Sequence, residues 1–194
     1  MIATGVPTGA INPPKLAGLL IGGDSGKFRY RREEWTSLLA FVRRLNSEWG
    51  TRWLISTSRR TPDFVADAVG EMAKDRNLVD TLIDFRTAGA GTLRPIFERA
   101  EIVVCTSDSS SMLSEAIAVH LPVVGILPKA HGFKAKEARY RSMMEEKNWA
   151  RFVSLAGLTV ETFSSALAKV QPPSDNHLDL LAAQIKRKLP SLFA

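Results

Sequence analysis

The chain holds one cysteine in 194 residues, and Cys105 lies inside an apolar run. No disulfide framework can therefore form, and a reducing compartment fits. No apolar stretch approaches the roughly 20 residues of a membrane span. The start, MIATGVPTGAINPPK, has neither the charged front nor the apolar centre of a secretory signal, so the default location is cytoplasmic. Long lysine or arginine runs are absent and there are only two tyrosines, which argues against nucleic acid as the partner. Also missing are a GxGxxG fingerprint, a P-loop, a GxSxG elbow and any His/Cys/Asp cluster at metal-ligand spacing. Together with the lack of a Tyr-x-x-x-Lys pair, these gaps disfavour a dinucleotide-dependent epimerase or reductase.

What is present reads as a globular domain: 45% hydrophobic and 24% charged residues, with a net charge of +6 that favours anionic or phosphorylated partners. Residues 1–15 carry three prolines and no periodicity, and read as a leader or interdomain linker. From Leu16 onward short apolar runs alternate with amphipathic stretches. LAGLLIGG, RWLISTS, TLIDF, EIVVCTS, PVVGILP and RFVSLAG read as strands. Between them lie helical patterns such as REEWTSLLAFVRRLNSEW, stopped by Gly50, and TPDFVADAVGEMAKDR, with Thr61 as cap and Pro62 in the first turn. TVETFSSALAKV places Val160, Phe163, Leu167 and Val170 on one face. Residues 172–194 are expected to form a terminal helix packed on the same domain through Leu178, Leu181, Ile185 and Leu189. Nearly all-apolar strands alternating with helices predict an α/β, Rossmann-like, doubly wound parallel sheet of about six strands over residues 16–171.

In such a sheet, strand-to-helix turns emerge on the ligand-binding edge. Three of them are chemically unusual. GGDSGKF (Gly22, Gly23, Asp24, Ser25, Lys27) combines glycines that permit close backbone approach with a lysine. STSRRTP puts Ser58, Arg59 and Arg60 beside a helix start, where free N–H groups and guanidinium forks suit phosphate. TSDSSSMLSEA (Asp108, Ser109, Ser110, Ser111, Met112, Glu115) opens a helix among hydroxyls, with Asp108 read as either a site residue or the helix cap. Glu115 is placed to accept the hydroxyls of a ribose, or else to favour the helix dipole by roughly 0.3–1 kcal/mol. His131, a lone histidine in a loop, and His177, near a helix start, read as exposed and structural. Met143 and Met144 read as core or surface filler.

IGG after the first strand, TSRRTP after the second and TSDSSSMLSEA…PVV after the fourth resemble the mitochondrial fission (elongated-mitochondria) family, which is assigned as glycosyltransferases. Its bacterial members often carry the label nucleoside-diphosphate-sugar epimerase. The similarity runs from about Leu16 to Phe152. It implies the carboxy-terminal, nucleotide-sugar-holding half of a GT-B glycosyltransferase, with a nucleoside-diphosphate sugar as donor and no cofactor or bound metal. By that resemblance Gly22, Gly23 and Ser25 line the diphosphate with Ser58, Arg59 and Arg60 nearby, Ser109 to Met112 wrap phosphates or sugar, and Glu115 takes the ribose. Two departures stand out. His120 occupies a place where the family usually has glycine, and a left-handed backbone there costs histidine more. The acceptor-binding amino-terminal domain of that plan is expected to be absent from this chain, which is then expected to be inactive alone. The alternative is a non-catalytic module that kept the fold and rests on an anionic membrane or a protein partner.

Overall fold

The computed structural model of the chain describes residues 12–89, 93–174 and 187. Its elements, in order, are β1 (Leu16–Leu20), α1 (Arg32–Trp49), β2 (Arg52–Ser56), α2 (Asp63–Met72), β3 (Val79–Ile83), α3 (Phe85–Ala88), α4 (Arg94–Phe97), β4 (Ile102–Thr106), α5 (Ser110–Ala118), β5 (Val123–Leu127), α6 (Ala135–Glu146), β6 (Ala150–Ser154) and α7 (Val160–Leu167). A 3₁₀ turn, Leu155–Gly157, precedes α7. The six strands form one sheet in the order β3-β2-β1-β4-β5-β6, every pair parallel. This is the Rossmann-like doubly wound order, and the chain reverses direction across the sheet between β1 and β4.

Both faces of the sheet are covered, so alternate residues of each strand enter different cores. Leu19, Ile21, Trp53, Ile55, Val104, Val124 and Ile126 pack under α1, α2 and α7 with Trp35, Leu38, Val42, Val65, Val69 and Phe163. Leu20, Leu54, Val103, Cys105 and Val123 face the opposite way, onto Ile96 of α4, Leu113 and Ile117 of α5 and Met144 of α6. Each such fully buried side chain contributes about 1.5–3 kcal/mol of transfer free energy. Trp53 is fully buried and satisfies its indole by donating to the Val42 carbonyl at 3.0 Å.

Several local expectations need correction. The N-cap of α2 is Pro62, not Thr61, because the Thr61 hydroxyl points across the sheet edge to the carbonyls of Ile21 (2.8 Å) and Gly22 (3.0 Å). Asp108 is not the cap of α5: Ser109 is, its Oγ accepting from the Met112 N–H. Val170 lies beyond the end of α7. Gly50 ends α1 in the left-handed region (φ 70°), as its sequence position predicts. His120 is left-handed too, at φ 63°, and its Nδ1 meets the Pro173 carbonyl at 2.5 Å. Met144 is buried and Met143 partly so, both against the second core. Of the terminal helix expected over 172–194, residues 172–174 are described and are not helical; the rest, including His177, falls outside the described residues apart from Arg187, as does most of the 1–15 leader. Among the described residues no helix is long and apolar enough to cross a membrane.

Candidate functional site

The β1, β2 and β4 strands are adjacent in the sheet, so the three loops leaving them meet at the point where the strand order reverses. The ladder continues a step past the strands: Ile21 N–H donates to Ser56 O (2.9 Å) and Gly22 N–H to the Thr106 hydroxyl (2.6 Å). Thr106 thereby stitches the end of β1 to the end of β4. Beyond this seam stands Asp108, whose side chain is 0% exposed. Its Oδ2 takes a 2.7 Å ion pair from Arg60 Nη2 and the Gly23 N–H at 3.2 Å, and its Oδ1 accepts from the Tyr30 hydroxyl at 3.3 Å. One carboxylate therefore ties all three loops together.

That contact explains the double glycine. A Cβ on Gly22 would lie 2.3 Å from Asp108 Oδ2, and a Cβ on Gly23 would lie 1.9 Å from the Arg60 carbonyl oxygen. Only backbone fits at either position. Tyr30, buried and facing the Asp108 carboxylate, has its phenol pKa pushed well upward, first by desolvation and then by that charge. Asp24 closes the first loop from within, its Oδ1 accepting from Tyr30 N–H at 2.9 Å.

Open space lies on both sides of the tie. On the β2–β3 side a cavity of about 350 Å³ is bounded by Ser56, Ser58, Arg59, Arg60, Phe85 and Met112, with Ile83 and Leu93 adding apolar wall. Phe85 is held by Thr57, whose hydroxyl accepts its N–H at 2.9 Å and lies 3.2 Å from Asp84. Asp84 in turn caps α3 and is gripped by the Arg86 guanidinium, which lowers its carboxyl pKa. Arg59 is exposed and forms no ion pair with a described residue. Arg60 commits one nitrogen to Asp108, while its buried Nε has no acceptor among the described residues. On the β5 side a second cavity, about 270 Å³, is lined by Ser25, Gly26, Lys27, Asp108, Gly132, Lys134, Glu137 and Arg141.

Of the residues singled out from sequence, Gly22, Gly23, Arg60 and Asp108 are in direct contact, Ser58, Arg59, Arg60 and Met112 share the first cavity, and Ser25, Lys27 and Asp108 share the second. Ser109 is the helix cap. Ser110 and Ser111 line neither cavity; Ser111 Oγ lies 3.1 Å from Ser109 Oγ, and the Ser110 carbonyl accepts from Ser114. Glu115 borders a separate hollow of about 480 Å³ with Leu93, Phe97 and Val119, and Leu93 lines the first cavity too. His131 is exposed, its Nδ1 2.6 Å from the Pro128 carbonyl, and is stacked on Phe28. Sequence reasoning missed Thr106, Tyr30, Phe85 and Arg141. The first three carry no motif signal. Arg141 carries none either, since only its burial beside Met144, and not its letter, sets it apart on a polar helix. Among the described residues no group of three or more His, Cys, Asp or Glu is placed to hold a metal ion.

A six-stranded parallel sheet covered by helices on both faces, its strand order reversing between β1 and β4, defines the class: a Rossmann-like α/β protein. Within that class, a family model described as Mitochondrial fission ELM1 matches residues 7–189. The chain belongs to that family. No curated protein matches it.

Proposed function

We propose that this chain is a nucleotide-sugar-binding domain of a glycosyltransferase, holding the nucleoside diphosphate in the cavity beside Arg59 and Arg60. The observation that carries this reading is the gathering of the β1, β2 and β4 loops at the strand-order reversal, where open α/β sheets bind ligands. The cavity volume, about 350 Å³, lies within the range of small-ligand sites. Phe85, Ile83 and Leu93 offer an apolar wall for a base. The Arg59 fork and the amino end of α5 offer charge and N–H groups for phosphates. A ribose that extends past Leu93 into the neighbouring hollow meets the Glu115 carboxylate. In transfer, the same positive groups stabilise the diphosphate as it leaves. The acceptor site belongs to a further domain in this reading.

Titration calorimetry against a panel of nucleoside diphosphates and their sugars tests it. One of them binds, and Arg59→Ala weakens that binding at least tenfold, about 1.4 kcal/mol. Absence of binding by every member at millimolar concentration ends the proposal. A second reading, a non-catalytic module resting on an anionic membrane or a protein, is favoured by one feature: Asp108 already occupies the Gly23 N–H and Arg60. Binding to anionic vesicles that survives Arg59→Ala and Glu115→Ala, with no nucleotide bound, would select it.

A further inference from the structure

Arg141 is a buried cation with no ion-pair partner among the described residues. Its side chain leaves α6 and reaches under the β4 loop, where Nη2 donates to the Ser107 carbonyl at 2.5 Å. The residue is 5% exposed, and its Nε and Nη1 have no hydrogen-bond partner among the described residues. The Ser107 hydroxyl is buried and unpartnered among the described residues as well. Phe133 and Phe28 lie against the guanidinium, at 4.4 and 5.7 Å from their ring centroids. Such rings attract a cation but give its N–H groups no acceptor. Burial pulls the Arg141 pKa downward. Buried charges are as a rule paired, and unpaired buried N–H groups are rare enough to need a cause.

Both carboxylates that face this guanidinium are committed. Asp108 is held by Arg60, Gly23 and Tyr30, and Glu137 accepts the Lys134 N–H at the start of α6. The 270 Å³ cavity that Arg141 lines also carries two further cations, Lys27 and Lys134, both exposed, so its lining holds three cations to the two carboxylates. Its walls are fixed. Ser25 and Phe28 pair backbone to backbone across Gly26 (φ 56°), Arg29 N–H donates to Ala130 O at 2.8 Å, and the stem of Lys27 lies against Gly132. We infer that this cavity is an oxyanion-binding subsite, separated from the Arg59 cavity by the Asp108 tie. It takes one phosphate- or carboxylate-sized group. Lys27 and Lys134 donate to its oxygens, and the buried guanidinium supplies the field across a low-dielectric wall. An acidic sugar or acceptor group and a terminal phosphate share this chemistry. The inference does not depend on the nucleotide reading.

The experiment is calorimetric titration of the full chain with inorganic phosphate, with acetate as the carboxylate arm. Saturable binding in the millimolar range is expected for at least one of them, and the better ligand names the source. The Lys27→Ala/Lys134→Ala double variant, altered only at exposed positions, weakens it at least tenfold. Arg141→Met abolishes it where the variant folds, and the lysine variant decides the matter where it does not. Arg59→Ala changes nucleoside diphosphate binding and leaves phosphate binding within twofold. Absence of binding to the wild-type chain at tens of millimolar, or binding undiminished in the lysine variant, overturns the inference. So does phosphate binding that disappears with Arg59 alone, because the anion then occupies the other cavity.

Discussion

The Asp108–Arg60 pair should behave as a buried tie rather than as a surface ion pair, and its removal measures how firmly the three loops are joined. Replacing Asp108 by Asn keeps the volume and removes the charge. It leaves Gly23 N–H and the Tyr30 hydroxyl with a weaker acceptor and frees Arg60, whose side chain is 34% exposed and can turn to water. Hydrogen bonds to a charged group are worth about 1.5–3 kcal/mol, and the Arg60 escape route holds the expected loss near 2–3 kcal/mol. Arg60→Met is the harsher change, since it strands a carboxylate with no exposure, and about 3–5 kcal/mol is expected. Urea unfolding reads both. With a slope of about 2 kcal/mol/M, a 3 kcal/mol loss moves the midpoint by about 1.5 M. The double variant should lose less than the sum of the singles, by about 1–3 kcal/mol. Two single losses under about 1 kcal/mol each, adding without coupling, would refute the tie.

The glycines supply a paired control: Gly23→Ala drives a methyl into the Arg60 carbonyl and should lose about 3 kcal/mol, whereas Gly70→Ala on α2, with nothing within 4 Å, should gain about 0.5–1 kcal/mol by thermal or urea unfolding. Tyr30 keeps its proton in the fold while an unfolded tyrosine ionises near 10, so its contribution is complete below that pH and is lost above it at about 1.4 kcal/mol per pH unit; Tyr30→Phe should flatten the fall in stability between pH 10 and 11 relative to wild type. At His120, where φ is 63°, His120→Ala loses the bond to Pro173 and keeps the backbone strain, while His120→Gly relieves it. The glycine variant should be the more stable of the two by about 1 kcal/mol, as differential scanning calorimetry would show.

The alternation of strand and helix was legible because it is written locally. LAGLL, RWLIS and IVVCT are apolar throughout, as strands covered on both faces must be, and Gly50 marks its helix end without outside help. The left-handed turn at His120 could be anticipated from a missing glycine. Polar side chains were misjudged where their partner is far along the chain. Thr61 looks like a cap because every local rule says so, yet its acceptors are the carbonyls of Ile21 and Gly22, forty and thirty-nine residues away. Asp108 has the composition of a cap and the job of a tie, since Arg60 and Gly23 reach it across the sheet. Arg141 was passed over because α6 is polar almost all round, and a cation turned inward has the same letter as one turned out.

The Asp108 tie also sets an order in time. Gly23 and Arg60 precede their carboxylate by 85 and 48 residues, so during synthesis the β1 and β2 loops emerge with no acceptor between them. Closing so long a stretch of chain is slow compared with forming a helix or a neighbouring strand pair. The ligand edge is thus among the last parts of the molecule to be born, and a nascent chain that has reached β3 carries a cationic notch rather than a pocket.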